Sequence, residues 1–120
     1  MLVEDEAPVR RIVEEMLTRN GYRVLAAADG LAALEVSRAH DGPIDLVITD
    51  VVMPRMNADE LVAQLEAEHP GIPILFISGY VDDVINRYGV ETWSRRLLGK
   101  PFSEAELLDK VREILDAEAG

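Results

Sequence analysis

Cysteine is absent from this chain of 120 residues, and its absence excludes disulfide bonds and thiolate metal sites. Basic residues are few: 12 lysines and arginines stand against 23 aspartates and glutamates, which gives a formal net charge of −11. A surface this acidic repels phosphate backbones, so direct binding to nucleic acid is not expected. Long apolar runs are also missing, since no stretch approaches the roughly 20 residues that cross a bilayer.

A secretion signal is not apparent at the start of the sequence, which is already acidic at Glu4 and has no basic segment before its first apolar residues. Together with the lack of cysteine and of apolar spans, this favours a cytoplasmic location without direct membrane contact. The length and the hydrophobic content of 48% suit one domain around one core. We therefore expect a single domain over residues 1–120.

Two kinds of apolar segment alternate along the chain, which predicts an α/β fold. Short runs with the composition of strands are separated by segments that carry apolar residues at helical spacing. The predicted strands are 2–3, 22–27, 45–50, 72–77 and 96–100. The predicted helices are 7–20, 31–40, 57–69, 82–88 and a last one that begins after Ser103. Asn57 with Glu60, and Ser103 with Glu106, have the spacing of capping boxes.

Chemically useful side chains stand where the predicted strands end. Glu4 and Asp5 follow the first strand, Asp50 ends the third, Ser78 follows the fourth and Lys100 ends the fifth. Because the carboxyl ends of parallel strands meet at one edge of an open sheet, we expect these side chains to converge there.

The candidate metal ligands at this edge are all oxygen atoms, which indicates Mg²⁺. Three neighbouring carboxylates repel one another and resist full ionisation, and a hard cation relieves that conflict. Mg²⁺ prefers such ligands and also accepts phosphate oxygens. We expect Asp5 and Asp50 to contact the ion directly and Glu4 to contact it directly or through water. The backbone carbonyl of Val52 is a further candidate ligand.

Asp50 is the candidate nucleophile of this edge. A carboxylate at the end of a buried strand is costly unless it is compensated, and it can accept a phosphoryl group as an acyl phosphate. Lys100 would then place a positive charge beside the phosphoryl oxygens, and the Ser78 hydroxyl could donate to one of them. Taken singly, each residue has a commoner structural explanation as a cap, a turn residue or a solvated lysine. Their order on successive strand ends favours one site.

The segments 2–6, 45–54, 77–80 and 99–102 make the chain resemble the receiver domains of two-component response regulators. The resemblance covers essentially the whole sequence. It implies a flavodoxin-like fold, with a five-stranded parallel sheet in the order 2-1-3-4-5 and helices on both faces. It also implies a phosphorylation-dependent signalling switch.

The resemblance further implies a role for each site residue. Asp50 would accept a phosphoryl group from a phosphohistidine on a histidine kinase or a histidine phosphotransfer protein. Glu4 and Asp5 would be the acidic pair that binds Mg²⁺, Ser78 would supply the switch hydroxyl, and Lys100 would contact the phosphate. Such a domain catalyses only its own phosphotransfer and dephosphorylation, and passes the signal to an output protein or domain that the sequence does not identify.

Three features of the resemblance concern the loops around the site. The Lys100–Pro101 bond is expected to be cis. Leu97 occupies the position where the family has a switch aromatic, so coupling through an aromatic rotation is excluded. Ala58 replaces a glycine of the loop after the nucleophile.

The stretch Ser-Gly-Tyr at 78–80, and Leu98 before Gly-Lys-Pro-Phe, are similar to receivers attached to hybrid sensor kinases.

Several other interpretations stay open at this point. The chain could be an interaction module that is not phosphorylated, or the receiver segment of a larger hybrid histidine kinase. A small phosphatase with an aspartyl nucleophile is disfavoured, because Val52 stands where a second acid is needed. Flavin binding is disfavoured by the lack of a phosphate-binding loop rich in Ser, Thr or Gly after the first strand.

Weaker expectations concern the side chains of four residues. Val52 and Tyr80 flank the expected phosphoryl position, and we hypothesise that their bulk slows hydrolysis by hindering water. His40 and His69 are interpreted as surface or cap residues near helix ends, not as ligands or phosphodonors.

Overall fold

A computed structural model describes residues 1–51, 58–79 and 96–119 of the chain. In these ranges the backbone forms five strands and four helices. In chain order they are β1 (Leu2–Val3), α1 (Ala7–Arg19), β2 (Ala26–Ala27), α2 (Gly30–Ala39), β3 (Val47–Asp50), α3 (Ala58–Glu68), β4 (Ile74–Ser78), β5 (Leu97–Gly99) and α4 (Glu104–Ala119).

The five strands form one parallel sheet in the order β2-β1-β3-β4-β5. The predicted fold class and strand order are therefore confirmed. The predicted helix over 82–88 and the cap at Asn57 lie outside the described residues. No helix among the described residues is both long enough and apolar enough to cross a membrane.

Two apolar clusters cover the two faces of the sheet and make a three-layer structure. Because side chains alternate along a strand, Val47 and Ile48 of β3 belong to opposite clusters. One cluster packs α1 and α4 against the sheet, with buried Leu2, Val13, Leu17, Leu46, Ile48, Leu75, Ile77, Leu98, Leu107, Val111 and Ile114. The other packs α2 and α3, with Val3, Ala27, Ala33, Leu34, Val47, Leu61, Leu65, Ile72 and Ile74.

The second strand is much shorter than predicted, since it covers Ala26–Ala27 and not residues 22–27. The residues before it complete the end of α1. The Tyr22 backbone N–H donates to the Leu17 carbonyl at 3.1 Å, and the chain reverses at Gly21, which has a φ of 89°. Tyr22 and Val24 also pack against the cluster that contains α1. Their apolar character therefore reflects burial against this core cluster, although they lie before the paired residues of β2.

The starts of α2 and α4 follow local capping chemistry. The Asp29 side chain accepts a hydrogen bond from the Ala32 N–H at 2.9 Å and caps α2. The predicted capping box of the last helix is confirmed: the Glu106 N–H donates to Ser103 Oγ at 3.1 Å, and the Ser103 N–H donates to Glu106 Oε1 at 3.3 Å. The N-cap of α1 is Glu6, whose side chain makes no capping hydrogen bond.

Candidate functional site

The parallel register brings the carboxyl ends of the strands to one edge of the sheet. Val3 pairs with Thr49 across β1 and β3, so Glu4 and Asp50 leave their strands at the same level. Across β4 and β5, Ser78 pairs with Gly99, the residue before Lys100. These four side chains come from loops or strand ends that the sheet holds side by side.

Lys100 links two carboxylates at this edge. Its Nζ donates to Asp50 Oδ2 at 2.7 Å and to Glu4 Oε2 at 2.9 Å. Glu4 is 0% exposed and Asp50 is 6% exposed, whereas the Lys100 side chain keeps 18% of its surface accessible. A buried carboxylate needs such a partner, because an unpaired buried charge is strongly unfavourable.

Hydrogen bonds fix the carboxylate, the backbone N–H and the carbonyl of Glu4. Its Oε1 accepts from the Glu6 N–H at 3.2 Å, and its own N–H donates to the Ala27 carbonyl at 3.0 Å. Its carbonyl accepts from Arg10 Nη1 at 2.7 Å. The segment between β1 and α1 is therefore fixed from the sheet, from the helix and from Lys100.

Burial and pairing change the acid–base properties of this edge. Burial raises the pKa of Glu4 above its ordinary 4.5, and the charge of Asp50 acts in the same direction, while the hydrogen bond from Lys100 opposes both. Burial acts to lower the pKa of Lys100, but its hydrogen bonds with Asp50 and Glu4 outweigh burial and raise that pKa above 10.5. The ammonium therefore stays charged at neutral pH.

The acidic residues of the edge lie close enough to share a cation. One carboxylate oxygen from each of Glu4, Asp5 and Asp50 lies within 4.8 Å of the others. Asp5 is exposed, and the other two are buried. The three candidate ligand atoms are carboxylate oxygens, which Mg²⁺ prefers. Because Asp5 is exposed, the cluster is open to solvent on that side. Val52, the expected backbone ligand, lies outside the described residues.

Ser78 ends β4 and is buried, with 1% of its surface exposed. Its carbonyl accepts a hydrogen bond from the Lys100 N–H at 2.8 Å, so the backbone of β4 fixes the backbone of Lys100. The Lys100–Pro101 bond is cis, as the resemblance implied. Leu97, at the position expected for a switch aromatic, is buried in the sheet.

Sequence reasoning missed three contacts. It did not anticipate that Lys100 would hold Glu4 as well as Asp50, or that Arg10 would bind the Glu4 carbonyl. An arginine in the first turns of the helix after an acidic pair was the available signal. His69 directly follows the last residue of α3, as expected for a cap, and the missed contact is between its Nε2 and Ser37 Oγ, 2.9 Å apart. His40 is the C-cap of α2.

The parallel sheet has the order 2-1-3-4-5, an aspartate ends its middle strand, and acids and a lysine come from the flanking strand ends. This is the arrangement that the resemblance to receiver domains implied. The response regulator receiver domain family matches residues 1–112. The chain belongs to this family, the receiver domains of two-component systems.

Named relatives support the same assignment. The chain is 40% identical over 116 residues to the sensor kinase CckA of Brucella abortus (strain 2308). The matched region makes up 97% of this chain and 12% of the kinase. It is 31% identical to the response regulator receiver protein CpdR of the same organism, over 98% of this chain and 96% of that protein. The crystal structure of the receiver domain from hybrid histidine kinase CckA superposes with a TM-score of 0.78, at 36% identity over 95% of both chains.

Proposed function

We propose that Asp50 is the phosphoacceptor of a signalling switch and that it takes its phosphoryl group from a phosphohistidine on a histidine kinase or phosphotransfer protein. The observation that carries this proposal is the pair of contacts from Lys100 Nζ, 2.7 Å to Asp50 and 2.9 Å to Glu4. They give the nucleophile a fixed cation, and the carboxylates of Glu4 and Asp5 lie beside it.

The transfer needs little covalent chemistry from the protein. A carboxylate oxygen of Asp50 attacks phosphorus, the P–N bond breaks, and its electron pair returns to the imidazole nitrogen of the partner. Lys100 offsets negative charge on the phosphoryl oxygens, and the buried strand ends keep the acceptor in place. Mg²⁺, when held by Asp5 and Asp50 with Glu4 directly or through water and the Val52 carbonyl, would neutralise further charge on those oxygens.

Phosphorylation changes the partners of Lys100 and Ser78. The new oxygens compete with Glu4 for Lys100 Nζ, and they offer an acceptor to the Ser78 hydroxyl at the end of β4. A shift of the segment after β4 would then bias a surface that an output protein or domain recognises. Since Leu97 replaces the switch aromatic, this coupling runs through Ser78 without an aromatic rotation.

The same proposal covers the extent and setting of the domain. We take residues 1–120 as one cytoplasmic receiver domain that catalyses only its own phosphotransfer and dephosphorylation. We also propose that Val52 and Tyr80 slow hydrolysis by excluding water, so that small polar substitutions shorten the lifetime of the phosphorylated state.

A second candidate is the receiver segment of a larger hybrid histidine kinase. It is favoured by the CckA relative, in which the matching region makes up 12% of a sensor kinase. The chemistry at Asp50 is then the same, and the flanking residues of the natural protein decide between the two.

Incubation with acetyl phosphate and Mg²⁺, followed by intact mass measurement, tests the proposal. We expect the wild type to gain the mass of one phosphoryl group, and Asp50→Asn to gain none. Asp45→Asn is the matched control, because Asp45 is an exposed acid just before the same strand. Equal labelling of wild type and Asp50→Asn, or no labelling of either, would contradict the proposal and favour an interaction module that is not phosphorylated.

A further inference from the structure

We propose that Arg10 is a positioning residue for the acidic cluster, and that its contact with the Glu4 carbonyl holds Glu4 and Asp5 in the arrangement that binds Mg²⁺. This inference rests on the proposed function, because it concerns the same site. It assigns a role to a basic residue that does not belong to the predicted acid, hydroxyl and lysine set.

Arg10 binds the β1–α1 segment in two ways. Its Nη1 donates to the Glu4 carbonyl at 2.7 Å, and its backbone N–H donates to the Glu6 carbonyl at 2.9 Å. The two accepting residues flank Asp5 on either side. The backbone bond is the first i→i−4 bond of α1, which any residue other than proline would make at this position. The side-chain bond depends on arginine, and it holds the peptide directly before the exposed Asp5.

The Arg10 side chain bonds a different group of Glu4 from those that Glu6 and Lys100 bond. The Glu4 side chain is already used, with one oxygen on the Glu6 N–H and the other on Lys100. The N-cap residue Glu6 makes no side-chain capping bond. The peptide between Glu4 and Asp5 is then oriented at its carbonyl by the guanidinium, and that peptide sets the direction in which Asp5 leaves the strand.

The charge and the position of Arg10 have opposite effects on a bound cation. A guanidinium close to the cluster repels Mg²⁺, so its removal alone would tighten ion binding. The hydrogen bond organises the ligands, so its removal would weaken ion binding. The sign of the change in Mg²⁺ affinity therefore separates a positioning role from a merely electrostatic one.

The test is a set of Mg²⁺ titrations followed by amide NMR shifts at constant ionic strength. We expect Arg10→Met to raise the dissociation constant for Mg²⁺ about tenfold, as for other groups that orient metal ligands. Arg10→Lys keeps the charge and a donor, and should restore most of the affinity. Arg11→Met is the matched control, because Arg11 is the exposed neighbour in a groove with Glu14 and Glu15. It should not weaken binding.

A second readout separates binding from chemistry. In phosphorylation by acetyl phosphate, Arg10→Met should need more Mg²⁺ for half-maximal rate and keep most of the rate at saturating Mg²⁺. If Arg10→Met does not fold, the shorter and uncharged Arg10→Gln replaces it, with the same expected loss of affinity.

The outcomes distinguish this inference from the proposed function. If the wild type neither binds Mg²⁺ nor labels at Asp50, the proposed function fails. If the wild type does both, and Arg10→Met binds Mg²⁺ as tightly as Arg11→Met or more tightly, the positioning role of Arg10 is wrong and the proposed function stands.

Discussion

Two contacts between a cation and carboxylates differ sharply in their surroundings. Lys100 joins Glu4 and Asp50 at the buried edge of the sheet, at 2.9 and 2.7 Å. Arg38 joins Glu68 between the exposed ends of α2 and α3, also at 2.9 Å, with side chains 56% and 30% exposed. Equal distances therefore do not mean equal energies, because water screens the exposed pair far more than the buried contact.

The largest effect is expected for Lys100→Met. The variant leaves Glu4 and Asp50 without their cation, and removal of one partner from a buried pair costs about 3 kcal/mol or more. Urea unfolding in Mg²⁺-free buffer measures this loss, and acetyl phosphate labelling should be strongly reduced. Lys110→Met is the control, since the ion pair described for Lys110 is a 3.9 Å contact with the exposed Glu113. Equal stability of the two variants would show that the buried contact contributes nothing special.

Added Mg²⁺ should stabilise the folded chain next most strongly. When free Mg²⁺ is ten times its dissociation constant, binding to the folded state alone contributes about 1.4 kcal/mol. Thermal unfolding with and without Mg²⁺ measures the increase, which Asp5→Asn should reduce or abolish. Asp45→Asn should keep it, and an equal increase in both variants would place the ion elsewhere.

The pH dependence of stability should have opposite signs at the two sites. Burial, the largest cause, raises the pKa of Glu4 above 4.5, so its contribution favours the folded state below pH 4.5 and is lost as the pH rises through the folded value. The hydrogen bond from Arg38 lowers the pKa of Glu68, so its contribution is present above pH 4.5 and is lost as the pH falls.

Urea unfolding without Mg²⁺, from below pH 4.5 to neutral pH, measures both contributions. The free energy of unfolding of the wild type minus that of Glu4→Gln should fall as the pH rises. The difference from Glu68→Gln should rise, by less, because Glu68 is exposed. Two slopes of the same sign would remove the contrast between the sites.

The smallest effect is expected for Arg38→Met. The exposed pair with Glu68 should contribute little, and salt should erase what it contributes. Unfolding at low and high salt measures this, with Lys100→Met as the comparison. A loss that matches Lys100→Met and persists in high salt would mean that the exposed contact is as important as the buried one.

Much of the fold could be predicted from the sequence because it depends on local pattern. The alternation of strand and helix is confirmed within the described residues, and so is the capping box at Ser103. The order of the sheet, which the family resemblance implied, is also confirmed. Strand ends were less predictable. Residues 22–24 have the composition of a strand, but they lie before β2, and Tyr22 and Val24 pack against a core cluster. Composition does not distinguish an apolar residue buried in a connecting segment from one paired in a sheet.

The sequence predicted which residues gather at the candidate site, but it did not predict which hydrogen bonds they form. Glu4, Asp5, Asp50 and Lys100 were expected at one edge, and the structure brings them there. The contact of Lys100 with Glu4 depends on how far a long side chain reaches from the end of β5, past β4 and β3, to the end of β1.

The sequence by itself determined the strand pattern, the acidic charge and the residue types at each strand end, because these follow from the period of apolar residues and from chemistry at single positions. Only the tertiary structure decided that Lys100 bridges Glu4 and Asp50, and that Arg10 binds the carbonyl beside Asp5. Such contacts depend on where strands and helices lie relative to one another, and a shift of a few ångströms in strand register or helix placement would abolish them.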